Sequence, residues 1–249
     1  MKRLPVLFLF VALTAPTTTF AWTAASDQKI AARAAALAPA DLKLIIDKYD
    51  EEYQQGLERA EADEGSDIHH YFPLSRSGKL RERIEGDTAG IIRLVRTNAP
   101  MSQIVERLGI LAHLVADANN PFHVSHDDPR LDLSHNDFEA YFERRMARFP
   151  TVFYGVESSF QLSSYLDQTF ARTSGYYPLI AEEYFRDGDD EPRTSADFDD
   201  RSTAFGVASV CYSHAVTDLV NLYYYIWREA GGDVRSATVL RPAARSNGN

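Results

Sequence analysis

HLVADANNPFHVSHDDPRLDLSHNDFE, residues 113–139, is the stretch around which the rest of the chain is organised. It holds four of the seven histidines, and two of them stand four positions before a carboxylate within helix-like sequence: His113 with Asp117, and His135 with Glu139. Residues four apart share one face of a helix, so each pair can aim two donors at a single point. The first pair sits in an apolar run, ILAHLVAD, and the second in SHNDFEAYFE; an Asn-Asn-Pro break, His123 and His126 lie between them. Two imidazoles and a carboxylate around one point form a donor set suited to zinc. A lone histidine on an apolar helix face is more often a core residue with both nitrogens satisfied. Two such pairs flanking a further histidine in so short a stretch favour a metal centre.

Working outward, the same helical period continues in both directions. Ser26 can cap a helix through IAARAAALA that ends near Pro39, and a second helix is expected from Ala40 through ADLKLIIDKYDEEYQQGLERAEAD. A polar loop follows around His69 and His70. Helices are then expected over 80–97 and 102–118, with Ser134 capping the one that carries His135 and Glu139. Further helices fit 157–173, 176–186 and 202–230, the last rich in aromatics (Tyr212, Tyr223, Tyr224, Tyr225, Trp227) and ended by Gly231-Gly232. The acidic run RDGDDEPRTSADFDDR reads as a solvated linker. No alternating strand pattern and no internal repeat are present, so the expectation is all-α, a single compact multi-helix domain.

Lys2 and Arg3, the apolar run from Leu4 to Ala15 and the small residues up to Ala21 read as a cleaved secretory signal over 1–21. That run is too short to span a bilayer, so no transmembrane segment is expected after cleavage. An exported protein, periplasmic or secreted, then begins at Trp22, with the domain over 22–232 and a weakly ordered tail over 233–249. The formal charge is −10, two units more negative once Lys2 and Arg3 are removed, with no basic stripe. Stable binding of duplex DNA is therefore not expected, although bound cations would let an acidic chain take a phosphodiester. Cys211 is the sole cysteine, which excludes an intrachain disulfide and is read as a small buried apolar residue.

With the earlier residues added, a longer pattern appears in order: Trp22, Asp27, Asp63, His70-Tyr71-Phe72, His113-x3-Asp117, His123 and His135-x3-Glu139. This resembles the superfamily of zinc-dependent phospholipases C and single-strand-specific nucleases, helical secreted enzymes with three zinc ions. Glu139 and the short gap from His123 to His135 look more like the phospholipase branch. The resemblance implies that Asp63, His70, His113 and Asp117 hold one zinc and His123, His135 and Glu139 a second. It implies a third ion on Trp22, through its α-amino nitrogen and carbonyl, with Asp117 bridging. The family supplies a histidine after the tryptophan for that third ion; here the spacing lands on Asp27. Two to three zinc ions are therefore expected, with Asp63 also orienting or deprotonating the attacking water as a catalytic residue.

The implied reaction is hydrolysis of a phosphodiester in a phospholipid; the second reading is a single-strand nuclease or 3′-nucleotidase of the same superfamily, and a helical metal-binding protein without catalysis is the third. The family's choline-pocket positions fall on Ala25, Glu64 and Asp67, which lack the aromatic faces a quaternary ammonium wants. A nuclease needs aromatic surfaces for bases, for which Tyr71, Phe122, Phe153 and Tyr154 are the candidates. His214 and Asp218, another pair four apart, read as a structural hydrogen-bonding pair ahead of an auxiliary metal site. His126 reads as a neighbour of the ligands.

Overall fold

The computed structural model describes residues 23–62, 66–125, 128, 130–186 and 191–234. The expected signal segment, Trp22, Asp63, His126 and the tail from residue 235 fall outside these. Helix α1 (Ala24–Ala35) buries Ile30, Ala31, Ala34 and Ala35. It starts ahead of Ser26, whose hydroxyl lies 3.1 Å from that of Thr23 instead of serving as the cap. The single helix expected after Pro39 is two, α2 (Ala40–Lys48) and α3 (Asp50–Glu61), separated at Tyr49 with φ −114° and ψ 37°. The carboxylates of Asp50, Glu51 and Glu52 explain the break. Three acids in a row are favoured in the first turn of a helix, where the backbone dipole is positive, more than in the middle of one.

A one-turn helix α4 (Ser66–His69) stands where the sequence reads as loop. Then come α5 (Leu80–Arg96) and α6 (Met101–Ala118), the latter buried on nearly every face from Ile104 onward, as expected of a helix apolar all round. Helices α3 and α6 cross in backbone contact. A Cβ on Gly56 would stand 2.1 Å from the Glu106 carbonyl oxygen, and one on Gly109 2.1 Å from that of Tyr53. Only glycine at both positions allows this approach.

Helix α7 (Leu131–Arg145) begins three residues before the expected cap at Ser134. Asp128 makes the turn: its Oδ1 accepts from the Arg130 amide at 2.9 Å and its carbonyl from the Leu131 amide at 3.0 Å. Ser134 is thereby buried within the helix. Helix α8 (Leu162–Ser174), by contrast, starts later than expected, and α9 (Tyr177–Tyr184) follows. The long α10 (Thr203–Glu229) is the helix expected there, with the Ser202 hydroxyl accepting from the Phe205 amide at 3.1 Å.

The late start of α8 has its cause on α10. Ser213, Thr217 and Asn221 form a polar stripe on that helix. They accept from the amides of Val152 (3.1 Å), Tyr154 (3.2 Å) and Glu157 (2.7 Å), holding 152–157 extended along it. Backbone groups that would otherwise enter a helix are satisfied by side chains.

The apolar residues form two clusters. One joins α2, α3, α5, α6 and the C-terminal half of α10, and the other gathers α7, α9 and the N-terminal half of α10. The turn after α6 lies where they meet, with Phe122 in one cluster and Val124 in the other. Cys211 is buried as expected, and burial pushes its thiol up to about 12. Among the described residues there is no β-strand, and no helix is long and apolar enough to cross a membrane. The result is one all-helical domain.

Candidate metal centre

Two buried groups of donors lie side by side at the end of α6. In each, one ligand atom from every residue lies within 4.8 Å of the others. The first is His69, His113 and Asp117: His69 Nδ1 is 2.8 Å from Asp117 Oδ2 and 3.2 Å from His113 Nε2, which is itself 3.3 Å from Asp117 Oδ2. The second is His123, His135 and Glu139: His135 Nε2 is 2.8 Å from Glu139 Oε1 and 3.2 Å from His123 Nε2. Asp117 and His123 join the groups, Oδ1 to Nδ1, at 3.6 Å. Spacing along α6 and α7 produces this convergence, since residues four apart point the same way.

Histidine orientation is set from behind. His123 donates from Nδ1 to the His69 carbonyl at 2.9 Å, leaving Nε2 towards the second group. His113 donates from Nδ1 to Asp27 Oδ2 at 2.6 Å, leaving Nε2 towards the first. Burial pulls His123 and His135 down to about 4, so both are neutral near pH 7, the form that binds a metal. Burial would lower His113 too, but the charges of Asp117 and Asp27 outweigh it and raise the ring to about 9. Glu139 is pushed up to about 7, chiefly by burial. Burial opposes ionisation of Asp117 as well, but His113, His123 and His69 together hold it down near 2. Asp117 Oδ1 and Asp27 Oδ1 are buried without a hydrogen-bond partner among the described residues, as expected of oxygens meant for a cation. The donor set fits divalent zinc.

The architecture has a counterpart among solved structures. Clostridium perfringens alpha-toxin from avian strain SWCP superposes with a TM-score of 0.58 at 14% identity, covering 85% of this chain and 65% of the toxin chain. This chain has the alpha-toxin fold. It spans about two thirds of the toxin's length. No protein-family model matches the sequence, and neither does any curated protein sequence. The helical fold that the resemblance implies is therefore the fold found.

Within the alpha-toxin fold, five of the residues expected as ligands come together: His113, Asp117, His123, His135 and Glu139. His70 does not join them. Its ring stacks on His123 at 4.5 Å and on Phe72 at 5.9 Å, and the nitrogen in the first group belongs to His69. The backbone explains the register. The Tyr71 amide donates to the His123 carbonyl (2.9 Å) and the Leu80 amide to the His70 carbonyl (3.2 Å), so α4 ends with the His69 side chain turned inward. Gly78, at φ 85°, permits the close return, since a Cβ there would stand 2.1 Å from the His70 oxygen. Asp27 meets His113 at Nδ1, on the far side of the ring from the first group. Asp67, one of the choline-pocket positions, is exposed and pairs with Lys79 at 3.5 Å.

Asn120 is the addition that sequence reading passes over. Its amide donates to Glu139 Oε1 at 3.1 Å and its Oδ1 accepts from the Phe122 amide at 3.0 Å. The Asn-Asn-Pro signal marks such a turn but not its second bond. Of the candidate aromatic platforms, Phe122 is fully buried and stacked on His135, Tyr71 tilts against Phe170, and Tyr154 stacks on His214. Asp218 accepts from Asn119, Tyr165, Thr169 and Arg172, while His214 lines a separate cleft of about 660 Å³ together with Tyr154, Tyr165 and Arg172.

Proposed function

We propose that the chain is an exported zinc-dependent phosphodiester hydrolase of the phospholipase C type. The observation that carries this reading is the pairing of two buried donor groups, linked through Asp117 and His123, inside the alpha-toxin fold. His69, His113 and Asp117 would hold one ion and His123, His135 and Glu139 the other. Bound zinc supplies Lewis acidity, bringing water towards ionisation at neutral pH and offsetting the charge that develops on the phosphoryl oxygens. The chain's own part is to hold the imidazoles in fixed orientations in a dry setting, with His123 and His135 kept neutral by burial. Asp63, carried from the family resemblance, is assigned to the first ion and to orienting the attacking water or taking its proton. By the same resemblance Trp22 would hold a third ion together with Asp117, with or without Asp27.

The lipid reading is favoured over the nuclease one. Phe122 is fully buried with its ring against the face of His135, and Tyr71 is half-buried against Phe170, so Phe122 offers no surface for a base and Tyr71 only part of one. The test is turnover by the chelated and the zinc-reloaded protein on phospholipid vesicles of mixed headgroups, single-stranded DNA and a chromogenic phosphodiester. Zinc-restored release of phosphorylated headgroup is expected. Cleavage of DNA alone would favour the nuclease. Inactivity on all three with zinc bound would favour a metal-binding protein without catalysis.

A further inference from the structure

We propose that Asp27 is a positioning residue for His113: its carboxylate accepts the hydrogen bond from Nδ1–H and so turns Nε2 towards His69 and Asp117. This rests on the metal reading above. Asp27 Oδ2 and His113 Nδ1 are 2.6 Å apart, with side chains 3% and 0% exposed, so water does not compete for the bond. Burial pushes the Asp27 carboxyl up to about 7 against the pull of His113; in its ionised form it only accepts, so the proton of that bond sits on Nδ1 and Nε2 is the open nitrogen. That nitrogen is the one 3.2 Å from His69 Nδ1 and 3.3 Å from Asp117 Oδ2. His123 is held in the same way by a neutral acceptor, the His69 carbonyl, so each donor group has one imidazole fixed through Nδ1.

This accounts for the departure from the family pattern. An acid at position 27 orients a ligand of the first ion, and charge on the acceptor makes His113 a stronger donor to a cation than a carbonyl would. The other oxygen, Asp27 Oδ1, is buried and without a hydrogen-bond partner among the described residues, and it is the atom a third ion would use. The two roles make different demands on experiment.

Zinc affinity and stoichiometry are measured by chelator competition and elemental analysis on the wild type, Asp27→Asn and Asp27→Ala. The His113 tautomer is read by ring nitrogen NMR in the zinc-loaded wild type. The amide variant keeps shape and loses charge. It is expected to retain the wild-type ion count while one ion binds roughly 10–100-fold more weakly, the other unchanged. NMR is expected to show the Nδ1–H tautomer. Loss of one whole ion with the remaining affinities unaltered would overturn the proposal in favour of direct ligation. Unaltered affinities in both variants, or an Nε2–H ring in the wild type, would overturn it outright. A wild-type protein that takes up no zinc would instead sink the metal reading itself.

Discussion

Asn120 donates to Glu139 Oε1 at 3.1 Å, so the turn that ends α6 holds an acid carried by α7. The same residue braces its own turn through the Phe122 amide. Asn120→Ala removes a partner from a buried carboxylate that belongs to the second donor group. Zinc competition on that variant should show one ion weakened by roughly 10–100-fold. An unchanged affinity would mean that Glu139 needs no such support.

The crossing of α3 over α6 allows no side chain at Gly109. Gly109→Ala places a methyl against the Tyr53 carbonyl oxygen, a backbone atom that cannot turn away. The expected loss is about 3 kcal/mol, the upper end for overpacking a core. At roughly 2–4 °C per kcal/mol for a chain of this size, the melting temperature should fall by about 6–12 °C. Differential scanning calorimetry measures it. A shift of only a degree or so would show that the helices separate easily.

Arg172 and Asp218 make a partly buried ion pair at 2.6 Å between α8 and α10, and Asn119 bonds to both. Arg172→Met leaves the acid with three neutral donors, from Asn119, Tyr165 and Thr169. The cost should be about 3 kcal/mol, at the low end for breaking a buried pair. The double variant with Asp218→Asn should recover part of that loss in urea unfolding. No recovery would contradict the pairing.

His214 gives a pH dependence outside the donor groups. Burial first, and then the charge of Arg172, hold its ring at about 4 against an ordinary 6.5, with Tyr154 stacked on it and Asp218 opposing the shift. The folded pKa lies below the unfolded one, so the unfolded chain binds more protons between these values. Its contribution is fully present above about pH 6.5 and is lost as pH falls towards 4. His214→Gln should flatten that part of the stability–pH curve. An equal slope in wild type and variant would assign the acid sensitivity elsewhere.

Much of this architecture can be read from residue order. The 3.6-residue period marks α5, α6 and α10, and the four-residue spacings of His113 with Asp117 and His135 with Glu139 bring candidate donors together without tertiary knowledge. What escapes is set by partners remote in sequence. Residues 157–161 stay out of α8 because the 152–157 segment leading into them is held by Ser213, Thr217 and Asn221, which no local propensity announces. His69 rather than His70 reaches the donors because the His123 carbonyl and the Leu80 amide fix the chain at residues 70–71. The motif next to Tyr71 points one residue too far. Asp27 is visible as an acid in the first turn of a helix, but its bond to His113 spans 86 positions.

The most direct test of the central claim is elemental analysis of the purified protein beside His113→Ala and His135→Ala. Six buried donors in two groups predict about two zinc ions per chain or more, with each variant losing about one. A wild type without zinc, or two variants that keep the full count, would contradict the account.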